Sequence, residues 1–260
     1  MGIIGEIKQI SASTLELLRK DPLLVRVFRD AQWLPESALW QRATYWKGES
    51  AEKTKQEMRA RFGKLAKRQG LSRFIPGNRQ QWKNNYDWQA LEQQFLAEWE
   101  NPELDLHKYW QELTFLLAGY VPGYYATSQG KIPELIVDQE YKKDFLPFSV
   151  IENSAWDGMP LVNAFGAGQE IGNENTTSYG PMRYLSPGDE VGQILDGLLE
   201  LSQEGFQNRF IRESQNSEPV PWIDWSEEEM LDWMTDYYNE IVDYYQSAVR
   251  QHKALLLYLT

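Results

Sequence analysis

Apolar residues along this chain recur sometimes at every second position and sometimes at three and four, and the change between the two marks out its elements. In LDLHKYWQELTFLLAG, residues 104–119, Leu106, Tyr109, Trp110, Leu113, Leu116 and Leu117 keep the spacing of one helix face. His107, Lys108, Gln111 and Glu112 fall opposite, and Gly119 stands where a left-handed cap suits glycine. One amphipathic helix, its apolar face in the core, is expected there. Residues 2–10 alternate around Ile4, Ile7 and Ile10 and predict a short strand. Ser13 to Glu16, S-T-L-E, has capping-box spacing, so a helix is expected to start between Ser11 and Ser13 and to break at Asp21-Pro22. LLVRVF followed by Trp33 predicts a second short helix ending before Pro35.

From residue 35 to 103 the chain is basic and glutamine-rich, with Trp40, Trp46, Trp82, Trp88 and Trp99. Ser50–Gln69, with Met58, Phe62 and Leu65 on one stripe, and Asp87–Glu100, with Trp88, Leu91, Phe95 and Trp99, both read as helices. The segment is expected to be a helical insertion within a single domain spanning 1–260. Further on, Met182–Leu185 predicts a brief strand, and Ser186-Pro187 predicts the capped start of a helix carrying Val191, Ile194, Leu195, Leu198 and Leu199 inward. A shorter helix follows through Phe206 and Phe210. Ser226–Glu229 has capping-box spacing ahead of a long helix whose stripe is Met230, Trp233, Met234, Tyr237, Ile241, Tyr244, Tyr245 and Ala248. The closing LLLYL, residues 255–259, is a buried-strand candidate able to pair with the opening strand. The expected class is α+β: a small mixed sheet from the chain termini and middle, packed by helices.

Composition narrows the chemistry. The 260 residues suffice for a full core, and the absence of cysteine removes disulfides, thiol nucleophiles and thiolate metal sites. With only His107 and His252, an imidazole-rich metal site is hard to build, and neither a metal nor another cofactor is expected. No apolar run approaches the roughly 20 residues of a membrane span, and the opening MGIIGEIKQI lacks a basic n-region, so a cytoplasmic location is expected. The net charge of −12 argues against nucleic-acid binding by the whole chain. Between residues 41 and 83, however, 12 Lys and Arg face 3 Glu, a local +9 that leaves −21 to the remainder. Nucleic acid is therefore expected only through that segment, if at all; a solvated helix face explains the same charge.

The glycines of LVNAFGAGQEIG, Gly166, Gly168 and Gly172, miss the phosphate-loop register, and Glu170 would repel phosphate; a turn needing positive φ is the better reading. Arg183, beside the Tyr179-Gly180-Pro181 turn, can hold a carboxylate or phosphate bidentately, with Tyr179 and Tyr184 flanking it. The bland reading is a structural arginine paired with an acid such as Asp105. The ligand-binding candidates are thus Arg183, Tyr179, Tyr184, Asp105, Lys108 and Trp110; no catalytic residue and no metal ligand is assigned. Ser11, Ser13, Ser186, Ser202 and Ser226 all have capping explanations, and none lies in a G-x-S-x-G elbow.

Together MGIIG, LDLHKYWQELTFLLAG, LVNAFGAGQEIG, YGPMRYLSP and the closing aromatic helix with LLLYL resemble the YfbM-like family of bacterial proteins of unknown function. The resemblance covers roughly residues 1–34 and 104–260, leaving out the basic segment. It implies an α+β fold and no assigned activity. Asp105, Lys108, Trp110, Leu113, Phe115 and Gly119 match its pattern, whereas the family tends to carry Asp in place of His107 and His in place of Thr114. Acid–base chemistry run from that family histidine would be absent here, which weakens an enzymatic reading. The expectation is a non-enzymatic binding or interaction protein, the regulatory or neutralising partner of another protein, its acidic body masking a basic one. The alternative is a small-ligand-binding protein or hydrolase with a pocket near Arg183 and Trp110. A concave pocket with convergent Arg183, Asp105 and Lys108 supports the alternative; heads that diverge or close into a buried ion pair speak against it.

Overall fold

The computed structural model describes residues 4–42, 47–71, 86–119, 160–165, 169–172, 176–177, 179–215, 225 and 229–260. Five strands form one sheet: β1 (Gly5–Ser11), β2 (Glu103–Asp105), β3 (Gln169–Ile171), β4 (Met182–Leu185) and β5 (Lys253–Leu259), in the order β2-β1-β5-β4-β3. The α+β class and the sheet drawn from termini and middle are as expected. The strands are not mixed in direction: all four ladders are antiparallel. The helices are α1 (Ala12–Lys20), α2 (Leu23–Ala31), α3 (Leu39–Arg42), α4 (Glu49–Leu71), α5 (Trp88–Trp99), α6 (Trp110–Ala118), α7 (Asp189–Ser214) and α8 (Met230–Arg250).

Register decides which side chains share a face. Ile7 opposes Leu104 and Leu257, and Leu255 opposes Leu185; these join the cluster built from α6, α7 and α8. Ile10 opposes Ala254, and Tyr184 opposes Leu256; these join the cluster of α1, α2 and α5, with Phe62 of α4. Helices therefore cover both faces, and two polar residues of β1, Lys8 and Gln9, are fully buried. Lys8 is fully buried, donating from Nζ to the carbonyls of Trp99 (3.0 Å) and Asn101 (2.7 Å) and lying 4.9 Å from the Trp99 ring centroid. Burial lowers its amine to about 8.

The stretch 104–119 departs from the single helix its periodicity suggested. Glu103–Asp105 pairs with β1, His107–Tyr109 makes one 3-10 turn, and only Trp110–Ala118 is α-helical, ending at Gly119 with φ 74°. Strand pairing wins because the outer edge of β1 needs partners. The 3-10 turn starts at His107 (φ 49°), and Leu106 donates to the Gly5 carbonyl at 2.9 Å. Trp110 then lies against Gly5, where an added Cβ would meet the Trp110 Cβ at 2.6 Å. The side of α6 expected to be polar is largely buried. Gln111 is buried, and burial raises the Glu112 carboxyl to about 7.

Capping also differs in detail. Ser11, not Ser13, caps α1 and accepts from Thr14 N–H (3.2 Å). The reciprocal arm comes from Glu98 of α5 rather than Glu16: its carboxylate accepts from Ser11 N–H (3.0 Å) and the Thr14 hydroxyl (2.6 Å). Helix α7 is capped by Gly188 (φ 87°), while Ser186 N–H donates to Glu190 at 2.6 Å. Its backbone breaks at Ser202 (φ 58°), separating the two helical pieces that the sequence predicted. Gly172, at φ 94°, is the positive-φ turn expected of the glycine-rich stretch; Gly166 and Gly168 lie outside the described residues, as do Trp46, Trp82 and most of the Ser226–Glu229 box.

Candidate functional site: an acidic, aromatic pocket beside the sheet edge

The six residues singled out from sequence lie in separate surroundings. Arg183 is buried on β4, with Nη2 2.7 Å from Glu170 Oε1 on β3, its register partner. Strands β1 and β5 stand between β4 and β2, so Asp105 is three strand spacings away, about 14 Å. Tyr184 points to the opposite face from Arg183; its ring lies 5.3 Å from the Arg19 guanidinium, and its hydroxyl meets Gln169. Tyr179 is exposed in the Thr177–Gly180 turn, its N–H donating to Thr177 Oγ1 at 3.1 Å. Trp110 is a core side chain. Asp105 and Lys108 sit together at the β2 end, where Lys108 Nζ lies 5.7 Å from the Tyr109 ring centroid.

Beside Asp105 the surface opens into a pocket of about 410 Å³. One wall is Asp105, His107 and Tyr109, from the strand end and the 3-10 turn; the other is Trp233, Asp236, Tyr237 and Glu240 of α8. The α8 residues meet there because positions separated by three, four and seven share a helix side. Trp233 and Tyr237 had been expected in the core stripe; Trp233 is instead 42 % exposed, and Tyr238 takes the inward position, its hydroxyl donating to the Leu198 carbonyl at 2.6 Å. Asp105 clamps the other wall. Its Oδ1 accepts from His107 N–H at 2.7 Å, and its Oδ2 lies 3.4 Å from His107 Nδ1. The His107 ring meets Tyr237 at 6.2 Å and 72°, and Tyr109 meets Tyr237 at 5.7 Å and 52°.

The field inside is negative. Burial pushes the Tyr237 hydroxyl up to about 12, reinforced by Tyr109, Asp105 and Glu240. Behind Asp105, its register neighbour Glu6 is raised to about 7, first by burial and then by Glu103 and Asp105. Carboxylates beside ring faces suit a positively charged group. Among the described residues, no group of three or more His, Asp or Glu is placed to hold a metal ion, and no helix is long and apolar enough to cross a membrane.

Among the described side chains of α4, several basic groups are ion-paired. Lys55 pairs with Glu52 at 2.8 Å, Arg61 with Asp30 at 2.8 Å, and Arg59 with Glu92 at 2.5 Å and with Glu36. Helices α4 and α5 also supply Phe62, Leu91, Phe95 and Trp99 to the second core cluster.

A family model described as a domain of unknown function, DUF1877, matches residues 1–258. The chain belongs to the DUF1877 family. The match spans the basic segment that the motif resemblance left out. The DUF1877 chain is also similar to the crystal structure of a protein of unknown function, YfbM from Escherichia coli, at 14% identity and a TM-score of 0.41, over 99% of each chain. No curated protein matches the sequence.

Proposed function

We propose that this DUF1877 protein is a non-enzymatic binding protein that takes a basic side chain of a partner protein into the pocket between the β2 end and α8. One observation carries the reading: three carboxylates, Asp105, Asp236 and Glu240, share a pocket with the rings of Tyr109, Trp233 and Tyr237. Among the described residues neither Asp236 nor Glu240 has an ion-pair partner. The outer side of α8 extends the charge, with Glu229, Asp232, Asp236, Glu240 and Asp243 all exposed at spacings of three and four. Like charges at that spacing cost a helix roughly 0.2–0.5 kcal/mol per pair, a cost that a basic partner removes. A guanidinium or ammonium gains from both groups at once, stacking on a ring while pairing with a carboxylate.

The Arg183–Glu170 pair closes upon itself, which speaks against the small-ligand or hydrolase reading near Arg183 and Trp110. The ion-paired side chains of α4 favour a solvated face over a nucleic-acid interface. Residues 1–260 are read as one unit in a cytoplasmic setting, for which a cysteine-free chain is suited.

The test is calorimetric titration with an acetylated tri-arginine amide at low ionic strength, with a tri-glycine control. Saturable one-site binding is expected for the arginine peptide only, weakened at least tenfold in the Asp236→Asn/Glu240→Gln double variant (roughly 1.4 kcal/mol). Binding that is absent, or indifferent to those substitutions, overturns the proposal. The pocket's volume also falls within the range of small-molecule sites, so arginine amide alone is titrated beside the peptide. Equal affinity for the two identifies a free small cation, not a protein side chain, as the ligand.

A further inference from the structure

We propose that His107 makes occupancy of this pocket pH-dependent: as neutral imidazole it leaves the carboxylates to the partner's cation, and as imidazolium it supplies the cation from the pocket's own wall. The inference rests on the cation-binding reading above and names the regulation of that same site. Its basis is geometric. His107 holds a left-handed backbone conformation, φ 49°, that L side chains rarely adopt, and the Asp105 carboxylate fixes it there through the backbone amide. The same carboxylate's second oxygen is 3.4 Å from Nδ1, so a proton gained by the ring turns this contact into an ion pair. The ring's edge-on contact with Tyr237 keeps it on the pocket wall, and a side chain 58% exposed takes its proton directly from solvent. Protonation thus consumes one of the three carboxylates and adds a like charge beside the bound cation.

Several other charged or titratable groups face this corner among the described residues. From the same stretch come Asp105, Lys108 and Tyr109; from α8 come Asp236, Tyr237 and Glu240; from the sheet come Glu6 and Glu103. Free carboxylates ionise near pH 4 and imidazoles between about pH 5 and 8, so mild acidification changes an imidazole first. Tyr237, pushed up to about 12, stays neutral throughout. Glu6 is the group to control for: raised to about 7, it gains a proton over the same range, but it does not line the pocket, and its substitution tests whether its charge is felt there.

Two substitutions separate the sources. His107→Asn keeps a residue type that tolerates positive φ while removing the ring's charge; Glu6→Gln removes the confounding carboxyl. The acetylated tri-arginine amide is titrated into wild type and both variants at about pH 8 and about pH 5.5, with circular dichroism confirming folded protein in each case. Wild type is expected to bind roughly tenfold more weakly at the lower pH, a cost consistent with one like charge at short range near a protein surface. His107→Asn should bind within about twofold at the two values, whereas Glu6→Gln should keep the wild-type ratio. Equal wild-type affinity at both values, a pH ratio surviving in His107→Asn, or one abolished by Glu6→Gln instead, overturns the role of His107 while leaving the pocket's cation binding intact. Peptide binding absent at both values removes the cation-binding reading, and the role of His107 with it.

Discussion

Replacing Glu112 by Gln should stabilise this protein at neutral and alkaline pH and do almost nothing in acid. Glu112 sits in the first turn of α6, mostly buried, and its Oε2 has no hydrogen-bond partner. Burial is the leading cause of its raised carboxyl, opposed by its own backbone N–H and by Lys108. With the folded value near 7 against 4.5 as reference, the folded state holds the proton more tightly than the unfolded chain. The sign follows from linkage. Below about pH 4.5 both states are protonated and Glu112 contributes no difference; between there and about 7 stability falls as pH rises; above 7 the whole penalty is present. At about 1.4 kcal/mol per unit the full penalty is about 3.5 kcal/mol, and partial solvent access reduces it to about 2. Glutamine resembles the protonated acid and carries no such penalty. Urea unfolding followed by tryptophan fluorescence at about pH 4.5, 6 and 8, at constant ionic strength, gives the difference between the two proteins, in which other titrating groups cancel. The expected gain for Glu112→Gln is near zero at the lowest pH and about 2 kcal/mol at the highest. A variant that is less stable than wild type at pH 8, or whose difference is the same at every pH, refutes the burial argument.

Two more substitutions probe the frame that holds the site. Gly5→Ala places a methyl 2.6 Å from the Trp110 Cβ and 2.9 Å from its Cγ, so overpacking should cost about 1–3 kcal/mol. Calorimetry should then show Tm lower by about 2–4 °C per kcal/mol; an unchanged Tm would mean that the Trp110 contact yields freely. Glu98→Ala removes the carboxylate that accepts from Ser11 N–H and the Thr14 hydroxyl, leaving buried donors unmet at a cost of about 1–3 kcal/mol. Glu98→Gln should recover part of that loss in chemical denaturation, because its amide oxygen still accepts; equal losses in the two variants would mean that the acceptor role is unimportant.

The sequence carried the elements whose pattern is local and long enough to be unambiguous. The isoleucine-rich opening stretch marked β1, the spacing of Leu91, Phe95 and Trp99 marked α5, and the aromatic stripe marked α8. Residues 104–109 fold as strand and 3-10 turn against their helical spacing, because a short apolar run fits helix and strand alike until a partner strand is present. The pocket was largely illegible. Trp233 and Tyr237 fit the inward stripe nearly as well as Tyr238, but Trp233 is exposed and Tyr237 only half-buried at the rim of the core. One signal was available: Asp236 and Glu240 bracket Tyr237, and the row of acids from Glu229 to Asp243 marks that side of α8 as exposed.

By itself, then, the sequence determined local conformation, the pairing potential of the two terminal strands and an acidic surplus outside the basic segment. Those properties depend on neighbours a few residues apart, where spacing and propensity act directly. Only the tertiary structure decided that Arg183 pairs with Glu170 and not with Asp105, because strand order is set by contacts across the whole chain. It likewise brought Asp105 and His107 opposite Asp236 and Glu240, more than a hundred residues away. No periodicity encodes that meeting. It arises because β2 completes the edge of β1 while α8 covers the adjoining sheet face, and burial of the two core clusters leaves the acidic, aromatic corner between them open to water.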